Sequence, residues 1–164
     1  MIQEKYQQLC ETPSDINEHL PTLKKYASLC DTIVEMGVRD TVSTYGLLAG
    51  HPLWMGSVDI ISPIEFLKEI AKQEGIDWDF IKASSLDIKF RRTDLLFIDT
   101  IHTYEQLSQE LKLHAPRVTK YIIIHDTVVP EMKQAIDEFL TENNDWKVKE
   151  VFENNNGLTI LQRI

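Results

Sequence analysis

The sequence is short of several things, and each shortage narrows what it can be. Only two cysteines occur in 164 residues, Cys10 and Cys30. Their spacing matches no metal or redox motif, so two reduced, partly buried thiols of a cytoplasmic protein are expected. No signal peptide is recognisable and no apolar run reaches the roughly 18 residues of a membrane span, so no membrane partner is expected. Positive charge is scarce: 17 Lys and Arg face 26 Asp and Glu, a formal net charge of −9. Such a chain gains little from phosphates, which argues against nucleic acid as a partner. The one short basic cluster, Lys89, Arg91 and Arg92, reads as a solvated loop. No repeat is visible, and Asn154–Asn156 reads as a turn. No G-x-G-x-x-G occurs, which weakens any nicotinamide-dependent oxidoreductase reading.

What is present is concentrated in Asp94–Thr127, DLLFIDTIHTYEQLSQELKLHAPRVTKYIIIHDT. Leu95–Ile98 and Tyr121–Ile124 are apolar runs of the kind that form strands buried on both faces. Between them, Tyr104, Leu107 and Leu111 recur at helical spacing. Strand, helix and strand of these lengths make a βαβ unit with parallel strands. Asp99, His102, His125 and Asp126 then gather at the carboxyl edge of the sheet, where open α/β sheets bind ligands.

The rest of the chain extends this pattern. Met1–Glu11 reads as a short, loosely held helix, and Ser14 or Asp15 as a cap for the next one. A helix from about Pro21 to Leu29 comes after it. Residues 1–30 are taken as a helical segment packed on the core, and 31–164 as a single domain. Ile33–Gly37 is a strand ending in glycine, followed by a helix over Thr41–Ala49 with Asp40 or Thr41 as N-cap. Trp54–Ile60 is a strand carrying Asp59 near its end. Ser62-Pro63-Ile64-Glu65 reads as a capped helix start, and Gly75 as that helix's stop. Trp78–Ala83 is a strand closed by Ser84 and Ser85. A helix from Pro130 to about Asn143 and an antiparallel pair, Trp146–Phe152 and Leu158–Arg163, complete the chain. The fold class is α/β: a doubly wound, Rossmann-like, seven-stranded sheet, mostly parallel with an antiparallel C-terminal hairpin strand.

The residues of the fourth and fifth strands carry a family pattern. DLLFIDTIHTYE and KYIIIHDT resemble the DLvFIDGDHsYE and GYivfHDT motifs of small class I S-adenosylmethionine (SAM)-dependent methyltransferases. Glu35-Met36-Gly37 is similar to that family's E-x-G first motif, and Asp59 to the acid ending its second strand. The match spans about Ile33 to Asp126 plus the terminal hairpin. It departs at the loop after Gly37, at Thr100 and Ile101 in place of glycine and an acid, and at Ser84 in place of an acid. The resemblance implies SAM as cofactor and methyl transfer to a small-molecule hydroxyl, with a sugar-type acceptor implied by the resemblance alone.

The resemblance also suggests roles for individual residues. Gly37 lets the first turn approach the cofactor without a Cβ, and Glu35 lies near enough to serve its ammonium. Asp59 can accept both ribose hydroxyls, with Ile60 against the adenine and Ser84 or Ser85 at its edge. Asp99 lies beside the transferred methyl group in the resembling enzymes. With Asp126 it makes a two-carboxylate oxygen site suited to Mg²⁺, though Ile101 replaces the third acid; otherwise Asp126 is a turn residue before Thr127. His102 is the candidate general base. His125 is expected on the opposite face from Asp126, in a structural role. His19, His51 and His114 have no partner that suggests chemistry, and Tyr104 reads as helix packing. With no segment to spare for a lid, the acceptor site is expected to be shallow or completed by another subunit of a homo-oligomer. The alternative reading is a catalytically degenerate SAM- or nucleotide-binding module acting as a partner subunit or sensor.

Overall fold

In the computed structural model, which describes residues 1–63 and 67–164, seven strands form one sheet in the order β3-β2-β1-β4-β5-β7-β6. The strands are β1 (Thr32–Met36), β2 (Trp54–Asp59), β3 (Asp77–Lys82), β4 (Thr93–Ile98), β5 (Val118–His125), β6 (Trp146–Phe152) and β7 (Leu158–Arg163). The first five run parallel, and β7 lies antiparallel between β5 and β6. The helices are α1 (Ile2–Glu11), α2 (Leu20–Ala27), α3 (Val42–Leu48), α4 (Leu67–Gln73), α5 (Tyr104–His114) and α6 (Pro130–Glu142).

The apolar run of β4 is continuous because both its faces are covered. Leu95 and Phe97 enter one core layer with residues of α1 to α4, while Leu96 and Ile98 enter the other with α5 and α6. Successive strand side chains point to opposite faces, so a two-layer core needs an apolar residue at every position. Met36 belongs to the second layer.

Three expectations need correction. α1 is held firmly: Ile2 is fully buried, its N–H donates to Glu74 at 2.8 Å, and Gln3 Nε2 donates to the Ala49 carbonyl. Ser14 does not cap a helix: its Oγ accepts the Asn17 N–H at 3.0 Å beside a single 3-10 turn over Asn17–His19, whose N-cap position is Ile16. Thr41, at the N-cap of α3, sits at φ 64 and bonds to Asp40 rather than capping with its side chain. The capping motif at Ser62–Glu65 lies partly outside the described residues. Cys10 and Cys30 are free thiols, and Lys89, Arg91 and Arg92 are exposed. No helix among the described residues is long and apolar enough to cross a membrane.

Candidate active site

Parallel strands deliver their carboxyl ends to one edge, and the order places β1 beside β4 where the winding reverses. Such a switch point opens a crevice. Here it is a cavity of about 310 Å³ lined by Gly37, Val38, Asp59, Ile60, Ser84, Ser85, Asp99 and His102. Of the residues given a cofactor, metal or catalytic role from the sequence, Glu35 and Asp126 are not among its lining.

Glu35 is fully buried. Its carboxylate accepts from Ser43 Oγ at 2.7 Å, Thr44 Oγ1 at 2.9 Å and Ser57 Oγ at 2.6 Å. Burial pushes its carboxyl up to about 7 against those donors. Contact with a cofactor ammonium is therefore corrected: Glu35 ties the start of α3 to β1 and β2. Gly37 lines the cavity, and the structure adds a second reason for a glycine there. It sits at φ +88, and a Cβ there would lie 1.8 Å from the Asp99 carbonyl oxygen. The chain itself makes a close approach here, where the end of β1 runs beside that of β4.

Asp59 lies at the cavity, but its carboxylate already has partners. Oδ2 accepts the N–H groups of Val38 at 2.7 Å and Arg39 at 2.9 Å, and Oδ1 that of Ile61 at 2.9 Å. Burial opposes its charge, yet these backbone donors hold it below the usual carboxylate range. Three of its roughly four acceptor positions are in use, so a bidentate hold on a ribose requires some release. Ile60 and Ile61 stand exposed at the mouth, as does Ile101.

The largest correction concerns the placing of His125 and Asp126 on opposite faces. Asp126 adopts φ 56, so strand alternation ends there and the carboxylate folds back towards its neighbour. His125 Nδ1 lies 2.9 Å from Asp126 Oδ2 and 3.4 Å from Asp99 Oδ1, and Nε2 lies 3.1 Å from the Asn155 carbonyl. Burial disfavours its charge, but the two acids prevail and raise it to about 10. His102 Nε2 is 2.8 Å from Asp126 Oδ2 and 3.4 Å from Asp99 Oδ1. Asp99 and then Asp126 raise its pKa above the ordinary histidine value. Burial works against ionised Asp99, and the bonds from both imidazoles still hold it well below the usual range.

Asp99, His125 and Asp126 have donor atoms within 4.8 Å of one another. The oxygen-only Mg²⁺ site expected at Asp99 and Asp126 is nevertheless corrected. An imidazole stands between the carboxylates and balances their charge, whereas Mg²⁺ favours oxygen ligands in a near-octahedral shell.

The His125 imidazolium carries a stability prediction. Its folded pKa lies above the ordinary 6.5, so its contribution is complete below pH 6.5 and is lost as pH rises towards 10. Stability is expected to fall across that window by at most about 1.4 kcal/mol per pH unit, seen as a falling thermal unfolding midpoint. His125→Gln should flatten the slope. An unchanged slope in the variant would place the pH sensitivity elsewhere.

The site also has members that the sequence does not reveal. Ile16 lines the cavity, so the segment between α1 and α2 forms part of its wall. It is anchored by Arg39 on Asp15 at 2.6 Å and by Asn155 Nδ2 on the Ser14 carbonyl. His19 packs edge-on to His125, with ring centroids 5.6 Å apart. Behind the cavity, buried Glu110 accepts from Ser85 Oγ at 2.5 Å, Thr100 Oγ1 at 2.8 Å and Gln106 Nε2 at 2.8 Å. Glu110 and Gln106 lie one helical turn apart on α5, the one sequence signal that links them.

No protein-family model and no curated protein matches the chain. Solved structures do. The N-methyltransferase NodS from Bradyrhizobium japonicum in complex with S-adenosyl-L-homocysteine (SAH) is 13% identical, with 99% of this chain and 98% of that one covered at TM-score 0.66. An O-methyltransferase from Bacillus cereus in complex with SAH is 14% identical over 99% and 90% of the two chains, at TM-score 0.64. An SAH-bound methyltransferase from Podospora anserina is 15% identical over 98% and 94%, at TM-score 0.60. At these identities the likeness shows the fold: the chain has the seven-stranded architecture of SAM-dependent methyltransferases.

Proposed function

We propose that the protein is a SAM-dependent methyltransferase acting on a hydroxyl of a small, sugar-type acceptor. The observation that carries this reading is the meeting of Asp59, Asp99 and His102 with the Gly37 turn on one cavity at the β1/β4 switch point. The cavity's chemistry fits the cofactor. Ile60, Ile61 and Ile101 offer apolar surface to a flat base, and ionised Asp99 suits a sulfonium cation. Bound SAM supplies an activated methyl group.

The protein's part is to position and to move one proton. Asp59 Oδ2 occupies two loop N–H groups suited to a ligand carboxylate; releasing them frees it to accept ribose hydroxyls. The carboxylate of Asp126 only accepts, so His102 Nε2 carries the proton between them. Nδ1 is left to take the proton of an acceptor hydroxyl, and the neighbouring acids make it a stronger base. His102 is 42% exposed, so an acceptor can reach it from outside.

The test is thermal unfolding with and without SAH, followed by turnover with SAM on a panel of hydroxylated acceptors. Ligand at about 100 times its Kd should add roughly 2.7 kcal/mol of stability, and methylated product should form. A shift without turnover would support the second reading, a silent cofactor-binding module, which Ile101 in place of the resembling enzymes' acid favours. No shift at millimolar SAH would overturn both.

A further inference from the structure

The network behind the cavity ties α5 to the segment after β3, through Ser85 on Glu110 and His114 Nε2 on the Ser85 carbonyl, and leaves Gln106 unneeded as a cap. Thr103 caps α5, accepting the N–H of Gln106 through Oγ1 at 3.3 Å. Threonine at the cap with glutamine three residues on is the sequence of a capping box, in which the glutamine reaches back to the cap N–H. That N–H instead donates to the Ile101 carbonyl at 2.9 Å. The Gln106 side chain turns towards the cavity, which it lines.

Its orientation there is determined by chemistry. Nε2 donates to Ser85 Oγ at 3.0 Å and to Glu110 Oε1 at 2.8 Å. Both amide hydrogens are therefore used on the buried side. Ser85 passes its own hydrogen to Glu110, and Thr100 does the same. Three donors thus converge on one fully buried carboxylate. Reversing the amide would set its carbonyl against the Glu110 carboxylate. Gln106 Oε1 is left as an acceptor without a partner among the described residues, on a side chain at the cavity wall.

Resting on the methyltransferase reading above, we infer that Gln106, positioned by Glu110, is the residue that selects a 6-amino purine in the cofactor. A fixed carbonyl acceptor matches the exocyclic amine of adenine. It opposes the carbonyl that hypoxanthine or guanine carries at the same position. A site that presents a committed polar group rejects the mismatched analogue more strongly than an apolar pocket does.

The experiment compares two ligands on the full chain by titration calorimetry: SAH, and S-inosylhomocysteine, in which a 6-oxo group replaces the 6-amino group. The wild type should prefer SAH by at least about tenfold, the worth of one matched hydrogen bond. Gln106→Leu should lose roughly tenfold in SAH affinity, with little change for the 6-oxo ligand, so that the preference collapses. Glu110→Gln removes the demand for donors and should weaken the preference while the cavity remains. Should that variant fail to fold by circular dichroism, Gln106→Leu, altered at the cavity wall, decides alone. Equal affinities in the wild type, or an intact preference in Gln106→Leu, would overturn the inference and leave the cofactor assignment standing. Failure of the wild type to bind either ligand would overturn the cofactor assignment and this inference with it.

Discussion

Replacing His102 by alanine is expected to cut turnover by roughly 10²–10⁴-fold, the usual worth of a positioned base, with SAH affinity nearly unchanged. The separation matters because His102 lies against the acids and not beneath them. Its imidazole is 42% exposed, while Asp99 is 23% exposed and Asp126 12%. Removing the ring leaves the anions with His125, so the cavity keeps its charge balance and loses only the proton acceptor. The pH profile adds a sign that can fail. Proton removal requires the neutral ring, and both acids raise its pKa above 6.5. Turnover at low substrate should therefore climb with pH and level off above neutrality, and the alanine variant should lack that limb. Neutralising the main cause, in Asp99→Asn, should move the limb to lower pH in whatever activity remains. Wild-type turnover in His102→Ala would remove the residue from the chemistry.

The cluster makes physical sense as two acids shared by two imidazoles with different duties. His125 is 1% exposed and hydrogen-bonded through both ring nitrogens, so it stays charged across the neutral range. It stabilises two close carboxylates that would otherwise repel each other. That leaves the ionised pair free to orient the outer ring, His102, which can exchange its proton with solvent or an acceptor.

Much of this is legible in the sequence, for identifiable reasons. Strand identity comes from uninterrupted apolar runs such as Leu95–Ile98, and the reversed last strand from a linker too short for a helix. Asp99, His102 and Asp59 stand out because parallel strands must deliver their ends to one edge. What escapes depends on single backbone angles and on burial. Alternation carried one residue too far sets Asp126 on the face opposite His125, and φ 56 at Asp126 has no signature in an HDT triplet. Glu35 looks available because nothing in E-x-G says that Ser43, Thr44 and Ser57 will close over it. The Ile16 segment is tied to Asn155 through a contact 141 residues apart in sequence, beyond any local pattern.

The position on which the site's geometry rests most directly is Gly37, and its replacement should have the largest effect on stability. Two glycines permit a controlled comparison. Gly75 sits at φ +78 with nothing within 4 Å of an added Cβ, whereas Gly37, at φ +88, would place that atom 1.8 Å from the Asp99 carbonyl oxygen. Gly75→Ala should cost only the left-handed backbone penalty, about 1–2 kcal/mol. Gly37→Ala carries the same penalty and must also force apart the ends of β1 and β4, whose ladder is closed there by the Asp99 N–H on the Met36 carbonyl at 2.8 Å. Its total should reach at least ~3 kcal/mol, a fall of roughly 6–12 °C in unfolding midpoint. The displaced group is the backbone of Asp99, so the carboxylate that steadies both imidazoles moves with it. Displacements of about 1 Å at reacting groups cost on the order of 10² in rate. Gly37→Ala should therefore lose turnover even at temperatures where it remains folded, while Gly75→Ala keeps its rate. Equal losses of stability in the two variants would mean that the strands part without strain, and that the contact at Gly37 is not what holds Asp99 in place.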